Sequence, residues 1–287
     1  MAALRTPILL IACAGLFGCQ PDPPTLRTAK PAELPPARNL ELKPPPKPAQ
    51  SSPEAQKKLE ALLAGHTGGK PELLQKLKSA SFTRIGALSA NDQVLAATQT
   101  VDVSWPVRFK NSTELTTETV ATTTFGLSPE ANWIAQVNKR FGEAAPQAIP
   151  KQKMVDDLLL IAQRQFQEDA CFLLFPFADP STRVLFADDT LLGDKDCYGL
   201  HVWTPALTYT LLHIEKKSNA LIRIAYSGRE SGKDLVKELL FDELQDYGGI
   251  KLPAKVYIRA AGIDLAEWRS LKVTAGKTFD AKHFDGP

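Results

Sequence analysis

The stretch Ile250-Lys251-Leu252-Pro253-Ala254-Lys255-Val256-Tyr257-Ile258-Arg259-Ala260 decides the architecture of this chain. Ile250, Leu252, Ala254, Val256 and Ile258 fall on one face of a strand, and Lys251, Lys255, Tyr257 and Arg259 on the other, because successive side chains point to opposite sides. One apolar face and one wet face indicate an antiparallel sheet covered on one side. Gly248-Gly249 before the stretch and Ala261-Gly262 after it supply turns. Working outward, the same reading predicts strands over residues 197–204, 207–215, 220–227, 235–246 and 265–275, separated by short turns at Thr204-Pro205-Ala206, Ser218-Asn219 and 228–232. Further upstream, the Thr- and Val-rich runs 94–104 and 114–125 suit a half-buried pleated surface, and 133–139 is a shorter strand.

Helical periods interrupt this pattern in three places. Residues 54–64 carry Leu59, Leu62 and Leu63 on one face, with Gly65 as the expected C-cap. Pro71 opens a short second helix bearing Leu73, Leu74 and Leu77. Residues 151–168 form the strongest helix, with Val155, Leu158, Leu159, Ala162 and Phe166 at three- and four-residue steps and Met154 and Ile161 beside them. That stripe is wide enough to lie across a sheet. The expected class is α+β: a large curved antiparallel β-sheet, a half-barrel, with helices across its concave apolar face.

The chain has 287 residues, 44% of them hydrophobic and 23% charged, which suits a folded soluble domain. Thirty-four basic residues against 32 acidic ones leave a formal charge of +2. That balance argues against a nucleic-acid binder, which needs a concentrated basic footprint. Eleven of the 22 prolines lie between Pro21 and Pro53, in a window with no aromatic and no glycine. Residues 20–53 therefore cannot build a core and read as a polyproline-II tether, able to reach about 105 Å at about 3.1 Å per residue. Its removal is expected to leave stability nearly unchanged.

Residues 1–18 have a short positive start at Arg5 and an apolar run from Ile8 to Phe17, the length of a signal-peptide core rather than of a spanning helix. The run ends in Leu16-Phe17-Gly18-Cys19, which resembles the lipobox of bacterial lipoproteins. The resemblance implies cleavage before Cys19 and acylation of its thiol. Several acyl chains on one cysteine anchor firmly. The chain then divides into a signal peptide over 1–18, a lipidated tether over 19–53 and one domain over 54–287. Gln20 is compatible with sorting to the outer membrane, and the inner membrane stays open.

The domain resembles the LolA/LolB superfamily of envelope lipoprotein carriers, including RseB/MucB-like sensor domains. The resemblance rests on Asp246-Tyr247-Gly248-Gly249-Ile250-Lys251-Leu252-Pro253, on the ending Phe279-Asp280-Ala281-Lys282-His283-Phe284-Asp285-Gly286-Pro287, on Asn132-Trp133, and on the order of elements. It implies a concave apolar face, roofed by helices, that holds acyl chains. On this chain the roof would be Leu158, Leu159, Ile161 and Phe166, with Trp105, Trp133 and Phe172 as lining. The same side chains filling a packed core is the alternative.

Catalytic patterns are weak. Ala225-Tyr226-Ser227-Gly228-Arg229 lacks the first glycine of a nucleophile elbow and is followed by strand pattern. His201 and His213 fall on neighbouring strands without a third metal ligand, and Asp188, Asp189, Asp194 and Asp196 read as a solvated loop without calcium-loop spacing. No cofactor and no enzymatic activity are expected. With Cys13 in the signal and Cys19 acylated, Cys171 and Cys197 remain. An oxidising envelope permits a disulfide between them, and buried free thiols are the alternative. The expected protein is a monomeric, periplasm-facing lipoprotein that binds lipid, acyl chains or the acyl chains of another lipoprotein, in sorting or transport. A stress-sensing or protein-interaction domain, and a structural lipoprotein with a packed core, are the other readings.

Overall fold

A computed structural model describes residues 42–286, apart from 91–92, 118, 141–144, 206–208, 231–232 and 281. The signal segment, Cys19 and the tether up to residue 41 lie outside the described residues. Helix α1 spans Pro53–Thr67, α2 Leu73–Lys76 and α3 Asp156–Phe172, followed by a 3₁₀ turn over Phe175–Ala178. The first six strands are β1 Ser79–Ala90, β2 Gln93–Ser104, β3 Arg108–Thr116, β4 Thr119–Leu127, β5 Asn132–Arg140 and β6 Gln147–Lys153. After α3 come β7 Arg183–Leu192, β8 Lys195–Trp203, β9 Thr210–Glu215, β10 Leu221–Glu230, β11 Lys233–Asp246, β12 Lys251–Ala260 and β13 Ile263–Ala275.

The thirteen strands among the described residues form one antiparallel sheet in the order β6-β5-β4-β3-β2-β1-β13-β12-β11-β10-β9-β8-β7. The chain meanders outward from β1 to one edge, crosses to the other edge, and meanders back until β13 pairs with β1. Laid flat, thirteen strands about 4.8 Å apart would measure about 58 Å across. The crossing from β6 to β7 contains a 17-residue helix, only about 25 Å long at 1.5 Å per residue. It covers the concave face, where one continuous core joins Leu59, Leu62 and Leu63 of α1, Phe166 and Phe172 of α3, and inward residues such as Phe82, Val101, Leu212, Ile224, Val256 and Trp268.

Several boundaries differ from the sequence reading. Helix α1 passes Gly65 and ends at Gly68, whose φ of 58° is the left-handed cap. The extra turn is held because Thr67 donates its hydroxyl to the Leu63 carbonyl and His66 donates Nδ1–H to the Lys251 carbonyl at 2.6 Å. Helix α3 begins at Asp156, not at 151, because residues 147–153 form the edge strand β6, with every side chain exposed. It runs past 168 because Asp169, Ala170, Cys171 and Phe172 are buried. The run 114–125 is two strands: the chain turns at Thr117, whose hydroxyl accepts from the Thr119 amide, a turn made without glycine or proline. The acidic run is a hairpin, not a loop: Asp188 and Asp189 lie in β7 and Asp196 in β8, and Lys216 bridges Asp189 and Asp196 at 2.6 and 3.0 Å. The outer face of β12 is wet at Lys251, but Tyr257 and Arg259 are buried. Arg259 meets Asp264 at 2.8 Å, beside the Arg223–Glu238 pair at 2.8 Å.

The tether's last residues are part of the fold. The Ser52 amide donates to the Val184 carbonyl at 3.0 Å, the Ser51 hydroxyl accepts from the Val184 amide, and the Ala49 carbonyl accepts from Arg183. Ser52 also caps α1 through the Ala55 amide, with Pro53 in the first turn. These contacts cover part of the β7 edge, which would otherwise expose a row of backbone groups. Deleting residues 20–48 should leave the melting temperature unchanged within a degree or two. Extending the cut through residue 52 should remove about 1–2 kcal/mol, a fall of about 2–4 °C per kcal/mol in a domain of this size. Differential scanning calorimetry of the two truncations checks this; equal melting temperatures would show that the edge contacts contribute nothing.

Candidate functional site

The candidate site is the space between α3 and the concave face. Phe172 packs its ring 5.5 Å from Phe82 of β1 and 6.4 Å from Phe241 of β11. Two turns earlier, Phe166 stacks on Phe109 of β3 at 4.9 Å and meets Trp105 at 5.2 Å. Trp105 continues to Phe175, and Phe109 to Phe125. Such aromatic pairs, at offset or edge geometry, add about 0.5–1.5 kcal/mol each beyond area burial. Beneath the C-terminal end of the helix the packing is close: a void there measures about 10 Å³, between Arg84, Phe172, Val256 and Trp268, about enough for one water.

A polar seam crosses this apolar interior. Arg84 of β1 pairs with Asp169 of α3 at 3.2 Å, both side chains almost wholly buried. Arg84 also donates Nε–H to Gln99, which donates onward to Asn111 and Thr113, and its guanidinium lies 4.8 Å from the Trp268 ring. Immediately before Asp169 on the helix, Glu168 accepts from Tyr226 and pairs with Lys237 at 3.1 Å. Burial pushes the Asp169 carboxyl up to about 7 against the pull of Arg84. Burial, reinforced by Glu168, holds the Tyr226 hydroxyl well above its ordinary value. Asp169 Oδ2 and Asn111 Nδ2 are buried without a hydrogen-bond partner.

The two halves of α3 sit differently. From Phe166 onward the helix is mostly buried; in its first half, Leu158, Leu159, Leu160 and Ile161 are all half-buried, and Val155 just before it is 55% exposed. Of the residues expected to line a pocket, Phe166 and Phe172 belong to the core, with Trp105, Leu158 and Leu159 packed on its margin. Ile161 is half-buried outside that cluster. Trp133 departs from the expectation. It shares the outer face with Asp102, Lys110 and Gly126, where its Nε1–H donates to the Phe284 carbonyl at 2.7 Å. The C-terminal segment seals it there: His283 meets Asp102 at 2.8 Å and Ser128 donates to Asp285. Gly126 leaves room for the indole, since a Cβ there would stand 2.5 Å from Trp133 Nε1.

Cys171 and Cys197 are free thiols, a correction to the disulfide expected as one alternative. Cys171 belongs to the core beneath α3, whereas Cys197 sits with Leu192 and Ile222 in a separate small cluster. Tyr198, Leu200 and Val202 of the same strand join the main core, so alternation turns Cys197 to the outer face and the sheet stands between the sulfurs. Burial raises both thiols, Cys197 to about 11. His213 accepts from Arg223 at 3.2 Å, and its pKa is lowered to about 3 by burial first and by Arg223 next. His201 bonds Tyr209 instead, at 2.7 Å.

Sequence reasoning missed the polar seam, although the signal was present. Ala80, Phe82 and Arg84 alternate on one side of β1, which puts a charge at an inward position, and Ile85 is correspondingly turned out, 56% exposed. Asp169 stands midway between Phe166 and Phe172 on the helix stripe.

No family model matches the chain, and no curated protein does. Among solved structures, the chain is similar to a putative outer membrane lipoprotein-sorting protein domain from Vibrio parahaemolyticus, at 11% identity over 81% of this chain and 96% of that one, with a TM-score of 0.41. It is also similar to a DUF1329 family protein from Desulfovibrio piger (10% identity, 80% and 97% covered, TM-score 0.42). A LolA superfamily protein from Nitrosomonas europaea is a third similar structure, at 12% identity over 74% and 96% of the two chains, with a TM-score of 0.41.

Proposed function

We propose that the protein is a monomeric envelope lipoprotein, held on the periplasmic side of a membrane by acyl chains on Cys19 and a proline-rich tether. Between α3 and the concave face it takes the acyl chains of a lipid or of another lipoprotein. The observation that supports this reading is the uneven seating of α3. Four consecutive aliphatic residues, Leu158 to Ile161, leave apolar surface on every side of its first turns, more than the sheet covers. Its second half is pinned by Arg84–Asp169 and Lys237–Glu168. Lifting the first turns about that pinned half would open a path lined by Leu158, Leu159, Phe166 and Trp105. A second reading, a protein-interaction domain on the same sheet, is favoured by the close packing beneath the C-terminal end of α3.

The test uses the chain with Cys19→Ser, which on this reading leaves the membrane fraction. Titrated with a fluorescent fatty acid, it should show saturable uptake that Leu158→Trp weakens several-fold while the circular dichroism spectrum stays unchanged. Absence of uptake in the Cys19→Ser chain would overturn acyl binding in favour of the interaction domain. Persistence of that chain on membranes after a salt wash, with residues 1–18 removed, would overturn the anchor.

A further inference from the structure

A cleft of about 430 Å³ opens at the end of the sheet where β1 begins and β2 ends, bordering the space beneath α3 at Trp105. That volume lies in the usual range for small-molecule sites, about 300–1,000 Å³. Its walls come from α2, the segment entering β1, the β2–β3 turn and the chain after β13. Lys76, Lys78, Arg108 and Lys277 line it against one carboxylate, Asp280. A chain with a formal charge of +2 thus concentrates cations in one concavity.

Their partners neutralise only two of the four. Lys277 lies 3.4 Å from Asp102, which His283 already holds at 2.8 Å. Arg108 reaches Glu130 only at 3.8 Å, and its Nε is buried with no hydrogen-bond partner. Lys76 and Lys78 close no ion pair with the described residues; Asp179, held low first by its Ser181 hydrogen bond, feels Lys78 only as its weakest influence. The aromatic walls are Trp105, half-buried, and Phe279, whose ring lies 4.9 Å from Lys277 Nζ.

Two lysines that pair with no described residue and the partly exposed Arg108 guanidinium offer more donors than a two-oxygen carboxylate uses; a phosphate, with more oxygens, matches them. The cleft is much larger than a bare phosphate, and its rings present flat apolar surface to a carbon skeleton. We infer that this cleft binds the phosphate of a glycerol- or sugar-phosphate ester, as a soluble ester or as the headgroup of a phospholipid. The inference stands whether or not an acyl chain enters beneath α3.

The experiment uses the chain with Cys19→Ser, so that no acyl anchor competes. Glycerol phosphate is titrated calorimetrically, and co-sedimentation is measured with vesicles of phosphatidylglycerol and of phosphatidylcholine. Saturable binding of glycerol phosphate, weakened about tenfold or more by Lys76→Gln/Lys78→Gln, supports the site with a soluble ester as sufficient ligand. Binding to phosphatidylglycerol vesicles alone, with the same loss, supports it with the lipid headgroup as the source. Absence of binding to both probes overturns it. So does an equal loss in Lys57→Gln/Lys217→Gln, which changes the same charge away from the cleft, or unchanged binding by the Lys76/Lys78 variant. Lys76 is exposed and Lys78 half-buried, so the glutamines leave the fold intact.

Discussion

Arg84→Ala is expected to destabilise the protein by about 3–5 kcal/mol at pH 8, the range for removing one partner of a buried ion pair. The substitution strands Asp169, which is fully buried and already lacks a partner for Oδ2. It also removes the donor to Gln99 and the guanidinium beside Trp268. The loss should depend on pH in a definite direction. Burial raises the Asp169 carboxyl to about 7, above the value near 4 of an unfolded chain. Its contribution to stability is therefore present in full below about pH 4 and is lost as the pH rises through about 7. Arg84 opposes that rise, so without it Asp169 keeps its proton to still higher pH, and forcing the charge costs more. The deficit should be largest on the alkaline side and smaller at pH 5, where the carboxyl is neutral. Urea unfolding of Arg84→Ala at pH 5 and pH 8 measures both values. A loss under about 1 kcal/mol, or one independent of pH, would mean that the seam does not hold α3.

Phe172→Ala should cost about 3–5 kcal/mol, the usual cost of truncating a buried phenylalanine. Its ring is 1% exposed and fills the angle between Phe82 and Phe241, with the small void beneath α3 already at its side. The surrounding side chains belong to different strands of one sheet and cannot collapse together into the gap. Leu158→Ala, on the half-buried first turn of the same helix, should cost less than half as much. Denaturant unfolding of the two variants compares the two ends of α3 directly. Equal losses would contradict the description of a helix sealed at one end and loosely covered at the other.

What the sequence revealed depended on how strictly one face was buried. β12 was legible because the residues on its inward face, Leu252, Ala254, Val256 and Ile258, are all apolar, although burial itself extends to Tyr257 and Arg259 on the other face. β7 was not, because an edge strand with mostly half-buried or exposed side chains has no apolar row to show, and its two aspartates resemble a loop. β6 was hidden for the same reason, and so the start of α3 was misplaced. The division of 114–125 escaped notice because threonine supports strand and turn alike. Within the site, Trp105, Phe166 and Phe172 were legible as large apolar side chains near the expected roof. Trp133 was equally apolar, but which face of the sheet it occupies depends on register and on a C-terminal segment about 150 residues away. The Arg84–Asp169 pair joins a strand and a helix 85 residues apart, and no local period reports such a partnership.

The strand order also dictates a sequence of assembly. Among the described residues, every lateral contact in the sheet joins neighbours along the chain except the β1–β13 pair. In that pair Ala80 faces Ala275, nearly 200 residues later. During synthesis, β1 through β6 can zip as local hairpins, yet the inner margin of β1 has no partner until the last strand exists. Closing a loop of that length costs about 4–5 kcal/mol of chain entropy by the logarithmic law, against a single ladder of backbone bonds. The seam at the centre of the finished molecule is thus the last to be sewn. Until then the nascent chain carries a bare twelve-residue margin, open to any strand that arrives before its own.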